Sequence, residues 1–184
     1  ILLAIARSAL HNAARRLPPE SISAPAPISP ALVEKNGAFV TINKADNLRG
    51  CIGTLGADQP LWEAVRDSAW SAAREDHRFE PVAEDELNDV TVEISVLSPL
   101  TEIQSFERFI PVEHGIVIEK DRRRGVFLPK VAEEMGWGRE ETMSALCKKA
   151  GLPFNAWQLP GARFWIFTVE VIAEAGARPS GPHP

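Results

Sequence analysis

Cysteine is scarce in this chain, with two residues among 184, and this scarcity excludes several classes of protein. Cys51 and Cys147 form neither a CxxC metal site nor a disulfide framework. The chain also lacks a CxxxCxxC cluster, an HExxH motif and a Gly-rich phosphate loop ending in Lys-Ser/Thr. Its four histidines are scattered, without a pair at metal-binding spacing. We therefore expect no metal and no other cofactor, and a reducing cytoplasm as the setting.

An excess of positive charge and long apolar runs are lacking as well. The formal net charge is -5 and the pI is about 5.4, whereas a general nucleic-acid binder has a basic surface. No stretch approaches the roughly 18 to 20 uninterrupted apolar residues of a membrane span. Basic residues follow the apolar residues 1–6, the reverse of their order in a signal peptide. The sequence predicts a cytoplasmic protein that binds neither nucleic acid nor membranes.

The spacing of apolar residues predicts an α+β fold with a mostly antiparallel sheet packed with helices. At 184 residues the chain can bury one core, or one core plus a small lobe. We treat residues 1–184 as one domain in which residues 100–160 form the smaller lobe. The predicted segments, in chain order, are a helix at 1–17, a Pro-rich connection at 18–30, a hairpin at 38–53, a helix at 58–73, a strand at 90–97, helices at 131–135 and 140–150, a single strand at 163–173 and a flexible tail at 174–184. Cys147 lies on the apolar stripe of its helix and is expected in the core.

The most informative stretch is Leu48-Arg49-Gly50-Cys51-Ile52-Gly53, which combines a thiol, a fixed positive charge and two glycines. In a β-strand, Arg49 and Cys51 point to the same face, roughly 7 Å apart. A guanidinium at that distance favours the thiolate, the nucleophilic form of cysteine. Gly50 and Gly53 can mark a bulge or let a ligand or another backbone approach. The alternative is that Cys51 is a small core residue, the usual role of a lone cysteine in a strand.

This stretch resembles the signature of the AMMECR domain family, whose bacterial members include AmmeMemoRadiSam system protein A. Further segments match in family order over nearly the whole chain: Asp76-His77-Arg78-Phe79-Glu80-Pro81, Val92-Glu93-Ile94-Ser95-Val96-Leu97-Ser98-Pro99, Gly125-Val126-Phe127-Leu128-Pro129, Leu146-Cys147-Lys148-Lys149-Ala150-Gly151-Leu152 and Trp157. At two positions this chain differs from the residue usual in the family: His77 stands where Pro is usual and Lys130 where Gln is usual. The resemblance therefore implies no ligand role for these two residues.

The resemblance implies a pathway but no reaction. Bacterial members are grouped with a Memo-like protein, related to metal-dependent dioxygenases, and with a radical SAM enzyme. These two proteins are the partners that the resemblance implies. The implied fold, a larger α+β domain with a smaller lobe, agrees with the apolar pattern.

Two hypotheses of different class follow. In the first, the chain is an enzyme acting on a small anionic substrate, with Cys51 as nucleophile, Arg49 binding the thiolate or the anion, and Glu93 carrying a proton. The predicted substrate-binding residues are Gly50, Gly53, Asp76, His77, Arg78 and Ser95, and Asp76 and His77 are also candidate proton carriers.

In the second hypothesis the chain is a non-catalytic adaptor or substrate carrier for the Memo-like and radical SAM proteins. An exposed apolar patch would support it. Three of the candidate residues also have structural interpretations. Glu93 fits a solvated sheet face, and Asp76 and Arg78 fit an internal salt bridge after the second helix.

Overall fold

The computed structural model describes residues 1–45 and 47–175. The end of the predicted flexible tail, from residue 176, lies outside the described residues. The fold is α+β, as predicted, with two four-stranded sheets. Within the described residues the helices are α1 (Leu2–Ala14), α2 (Pro30–Val33), α3 (Leu61–Arg74), α4 (Pro129–Met135) and α5 (Arg139–Lys149). The strands are β1 (Ala38–Lys44), β2 (Asn47–Thr54), β3 (Val90–Leu97), β4 (Thr101–Ile103), β5 (Gly115–Lys120), β6 (Arg123–Phe127), β7 (Arg163–Phe167) and β8 (Val169–Ala173).

Among the described residues, the first of two compact units comprises Ile1–Leu97 and 170–175. Its sheet has the strand order β2-β1-β3-β8, so β2, which carries the cysteine motif, is an edge strand. The apolar residues of β1 and β3 alternate and pack against α1 and α3 in one core. That core includes Val40, Ile42, Val92 and Ile94.

Small residues let α3 lie close to this sheet. Ala69, Ala72 and Ala73 of α3 are all buried, and none has a side chain longer than a methyl group. Gly50 of β2 lies directly beneath the helix, because a Cβ atom added there would stand 2.2 Å from the Ala72 carbonyl oxygen. The first glycine of the motif therefore accommodates a second backbone, one of the roles expected from the sequence.

The second unit, Ser98–Val169, has the strand order β4-β7-β5-β6. Residues 100–160, assigned from the sequence to a smaller lobe, lie within it. Its core includes Phe109, Met143, Leu146 and Cys147. Cys147 has no exposed surface, which confirms the prediction that it is a core residue, and burial raises the pKa of its thiol.

Two predictions about the end of the chain are wrong. The single strand predicted at 163–173 is two strands, β7 and β8, which belong to different sheets. A run of apolar residues does not reveal where a chain leaves one sheet for another. Glu174, the first residue of the predicted flexible tail, is held in place, because it accepts a hydrogen bond from Arg7 Nε (2.6 Å) and its N–H donates to Val92 O (3.1 Å).

Candidate functional site

A β-bulge interrupts the motif strand. Thr41 of β1 lies opposite Cys51, but Asn43 lies opposite Leu48. From Thr41 to Asn43, β1 advances by two residues, whereas the facing part of β2, from Cys51 back to Leu48, spans three. Arg49 is the extra residue in β2. The strict alternation on which the sequence placed Arg49 and Cys51 on one face does not hold across this bulge.

Arg49 is bound to Glu86 instead of lying free beside the thiol. Its Nε and Nη2 donate to the two Glu86 carboxylate oxygens at 3.1 and 2.8 Å, and its Nη1 donates to Glu80 O at 2.8 Å. Lys44 Nζ also donates to Glu86, at 2.9 Å. The Arg49 hydrogen bonds are the largest cause of a pKa of about 2 for Glu86, against the opposing effect of burial. Sequence reasoning missed Glu86, since nothing in the local pattern links it to a strand 37 residues away.

Asp76 and Arg78 bind the backbone of Cys51 at the edge of the sheet. Cys51 N–H donates to Asp76 Oδ2 at 2.8 Å, and Arg78 Nη2 donates to Cys51 O at 3.4 Å. Arg78 Nε and Nη2 also donate to the two oxygens of Asp76, at 2.9 and 2.7 Å. The salt bridge expected between Asp76 and Arg78 is confirmed. The hydrogen bond to Asp76 raises the pKa of Arg78.

The Cys51 side chain lies on the face of the sheet opposite α3. Gly50 faces the helix, so its neighbour Cys51 faces away from it. The sulfur is part-buried, and the Thr41 hydroxyl donates a hydrogen bond to it at 3.3 Å. A hydrogen bond to the sulfur favours the thiolate. The sulfur is therefore not sealed beneath the second helix.

This face of the sheet is polar and buried. Glu93 of β3 lies opposite Thr41, so Cys51, Thr41 and Glu93 form one row across three strands. Glu93 is only 4% exposed, which makes the solvated-face interpretation wrong. Ser95, two residues from Glu93, is buried on the same face.

Asn43 is the fourth buried polar residue of this face and was missed from the sequence. It follows Thr41 by two residues on β1, so it shares the face, and it is 2% exposed. Among the described residues, neither its Oδ1 nor its Nδ2 has a hydrogen-bond partner. An unpaired buried amide is rare, because leaving a buried polar group unpaired costs free energy.

A separate cavity of about 320 Å³ lies along the end of β2, on its α3 side. Asp58 and Asp67 are among its lining residues, and so is Gly53, the second glycine of the motif. These carboxylates make the cavity unsuited to an anion. The full lining is Ile52, Gly53, Thr54, Gly56, Asp58, Gln59, Asp67, Ser68 and Ser71.

The structure thus brings together some of the predicted site residues and separates others. Cys51 and Glu93 share a row, with Ser95 beside it, while Asp76 and Arg78 bind the Cys51 backbone. Arg49 is bound to Glu86, and Ala72 occupies the space beside Gly50. Gly53 is opposite Phe39, and an added Cβ there would stand 2.4 Å from the Phe39 ring. His77 is exposed and lies in the turn that follows Asp76.

The salt bridge at the sheet edge predicts a dependence of stability on pH. Burial alone would raise the pKa of Asp76, but hydrogen bonds from Arg78 and from Cys51 N–H outweigh it and lower the pKa to about 2. A lowered carboxyl pKa contributes stability that is present above pH 4 or so and is lost as the pH falls towards 2. We expect Asp76→Asn to lower the free energy of unfolding at pH 7 by about 2 kcal/mol.

Urea unfolding at several pH values between 7 and 2.5 checks this. The difference between the wild-type protein and Asp76→Asn should shrink as the pH falls below 4. Asp85→Asn, which removes an exposed carboxylate, is the control and should show no such loss. A difference that stays constant over this pH range would contradict the assigned role of Asp76.

Within residues 1–45 and 47–175, no group of three or more His, Cys, Asp and Glu side chains could hold a metal ion. Of the helices in these ranges, none has the length and hydropathy needed to cross a membrane.

Comparisons with known proteins place these features in a family. A family model described as AMMECR1 matches residues 3–172. A protein of Methanothermobacter thermautotrophicus is 38% identical over 95% of this chain and 93% of its own length, and one of Thermococcus onnurineus is 39% identical over 98% and 91%. The crystal structure of an uncharacterised protein from Pyrococcus horikoshii is similar, with a TM-score of 0.86, 34% identity, and coverage of 98% of this chain and 92% of that one.

Proposed function

We propose that this chain, which belongs to the AMMECR1 family over almost its whole length, is a cysteine-dependent enzyme in which Cys51 is the nucleophile. The observation that carries the proposal is the hydrogen bond from the Thr41 hydroxyl to the part-buried Cys51 sulfur. A thiol that only fills space needs no such donor, whereas a thiolate is stabilised by one. The substrate would be a small molecule with an electrophilic carbon.

The row of polar side chains supplies a path for the thiol proton. In the proposed step the proton passes to the Glu93 carboxylate, with the Thr41 hydroxyl between the two groups. A lone pair of the sulfur forms a bond to a carbonyl carbon, and the π electron pair of the carbonyl moves to its oxygen. When the C=O bond re-forms, the leaving group departs with the proton from Glu93. Water then hydrolyses the thioester and restores the thiol.

The charges around Cys51 bear on the substrate. Arg49 and Arg78, the two guanidinium groups of this region, are bound to Glu86 and Asp76, respectively. Each positive charge is therefore largely balanced by a carboxylate. The expectation of an anionic substrate depended on an Arg49 guanidinium beside the thiol, and Arg49 is bound to Glu86 instead. We propose a substrate that is neutral at the reacting end.

Action in a shared pathway with a Memo-like protein and a radical SAM enzyme, in the cytoplasm, remains part of this proposal. The alternative is an adaptor or carrier for those two proteins, in which the Cys51 thiol is dispensable. A substitution of the thiol separates the two functions, because an adaptor needs the fold of the chain but not the sulfur.

Cys51→Ser provides the test. The change is nearly isosteric, retains a hydrogen-bonding partner for Thr41 and replaces the thiol by a far weaker nucleophile. In a complementation assay in cells lacking the native gene, we expect Cys51→Ser to fail as the empty vector does. Cys147→Ala is the matched cysteine control and should complement. Circular dichroism and thermal unfolding of the purified variants would verify folding. Full complementation by Cys51→Ser would reject the enzyme in favour of the adaptor.

A further inference from the structure

The side-chain amide of Asn43 is buried but makes no hydrogen bond within the described residues. Its carboxamide lies on the same sheet face as the Thr41–Cys51 hydrogen bond, two residues along β1 from Thr41. It is nine-tenths and more buried, and among the described residues both of its polar atoms lack partners. A leucine of similar shape would fill the same space without leaving polar atoms unpaired. The presence of asparagine therefore points to a partner that is bound only part of the time.

We propose that Asn43 recognises an amide group of the substrate of Cys51, an inference that rests on the proposed function. A carboxamide presents one N–H donor and one carbonyl acceptor side by side. The group that satisfies both is another amide, open-chain or cyclic, which presents the same pair in reverse order. A carboxylate offers only acceptors and would face the Asn43 Oδ1, and a ketone would satisfy the Nδ2 donor alone.

The position of Asn43 sets the distance between the two ends of such a substrate. Thr41 is opposite Cys51 and Asn43 is two residues further along β1, so Asn43 is a diagonal neighbour of Cys51 on the adjacent strand, roughly 7 to 8 Å away. A substrate that spans this row would thus carry its amide a few bonds from the carbon that Cys51 attacks. Asn43 is a recognition residue in this assignment, while Cys51 carries the chemistry.

Alkylation of Cys51 by two reagents of nearly equal size tests the proposal. Iodoacetamide carries a carboxamide and iodoacetate a carboxylate. We measure both rates at Cys51 by peptide mass mapping and divide each by the rate with free glutathione, which removes the intrinsic difference between the reagents. We expect the wild-type protein to favour iodoacetamide by about tenfold after this correction, because the carboxylate of iodoacetate would lose the hydrogen bond to Asn43 Oδ1 and would place two acceptors face to face.

Asn43→Leu should reduce that preference to about one while Cys51 remains reactive, and it should raise Tm, because it removes two unpaired buried polar atoms. Asn12→Leu is the matched control, since Asn12 lies on α1 with its Nδ2 bonded to Ser21 Oγ (2.7 Å), and it should keep the wild-type preference. An unchanged preference in Asn43→Leu would overturn the proposal and would indicate that a buried water satisfies the amide.

A second measurement needs no variant. An excess of 2-pyrrolidinone, a cyclic amide, should protect wild-type Cys51 from alkylation more strongly than cyclopentanone does, because the ketone has the same shape but no N–H and can accept only the Nδ2 hydrogen bond. Equal protection by both, or by neither, would overturn the amide assignment. If the proposed function itself were wrong, the result would be a different one, because Cys51 would then react with every reagent no faster than an ordinary thiol does.

Discussion

Cys51 should be alkylated at least about a hundredfold faster than Cys147 in the native protein at neutral pH. Cys147 has no exposed surface and a pKa raised by burial, so it can react only when its unit opens. Cys51 is part-buried, and its sulfur accepts a hydrogen bond from Thr41 that favours the thiolate. The two cysteines of one chain thus serve as a reactive site and its internal control.

The measurement is a time course of labelling by iodoacetamide, with peptide mass mapping of both sites. In urea, where both thiols are exposed, the two rates should converge, which separates an effect of the fold from an effect of the neighbouring sequence. Thr41→Val, which removes the hydroxyl and retains the shape, should slow the labelling of Cys51 in the native protein. Equal labelling of the two native cysteines would contradict the role assigned to Cys51.

Gly50→Ala should be strongly destabilising. The added Cβ would stand 2.2 Å from the Ala72 carbonyl oxygen, a backbone atom that cannot rotate away. Either α3 or the edge of the sheet must move, and both belong to the main core of the first unit. Overpacking of this kind costs about 3 kcal/mol, which lowers Tm by about 6 to 12 °C in a chain of this size.

Gly56→Ala is the control for Gly50→Ala. An added Cβ at Gly56 would also be close to a neighbour, the Asp58 Oδ2 at 2.5 Å, but that carboxylate is the end of an exposed side chain and can turn aside. Thermal unfolding should therefore separate the two variants clearly. If Gly50→Ala were as stable as Gly56→Ala, the close contact between β2 and α3 would not be a constraint on the fold.

The elements that sequence predicted well are those whose pattern is local. The alternation of Val90, Val92, Ile94 and Val96 predicted β3 with its observed bounds, and the hairpin of β1 and β2 followed from two apolar runs around a short turn. The helical stripe that includes Cys147 placed that residue in the core. Each of these predictions depends only on residues near one another in the chain.

The candidate site was predicted only in part, because its geometry depends on distant residues. The motif identified Cys51, but the bulge beside Arg49 depends on pairing with β1, and no local pattern reports it. The partner of Arg49, Glu86, comes from a short turn far along the chain. Asn43 stands in an alternating strand where an asparagine is unremarkable until its burial and its unpaired atoms are known.

The salt bridge between Asp76 and Arg78 also bears on self-association. A strand at the side of a sheet exposes N–H and C=O groups with which a strand of another molecule can pair, the first step towards aggregation. At Cys51 both of these groups are occupied, the N–H by Asp76 and the C=O by Arg78. The two side chains thus keep a second copy of the protein from extending the sheet at Cys51. A chain that lost Asp76 and Arg78 would expose a template for fibril-like stacking at the proposed nucleophile.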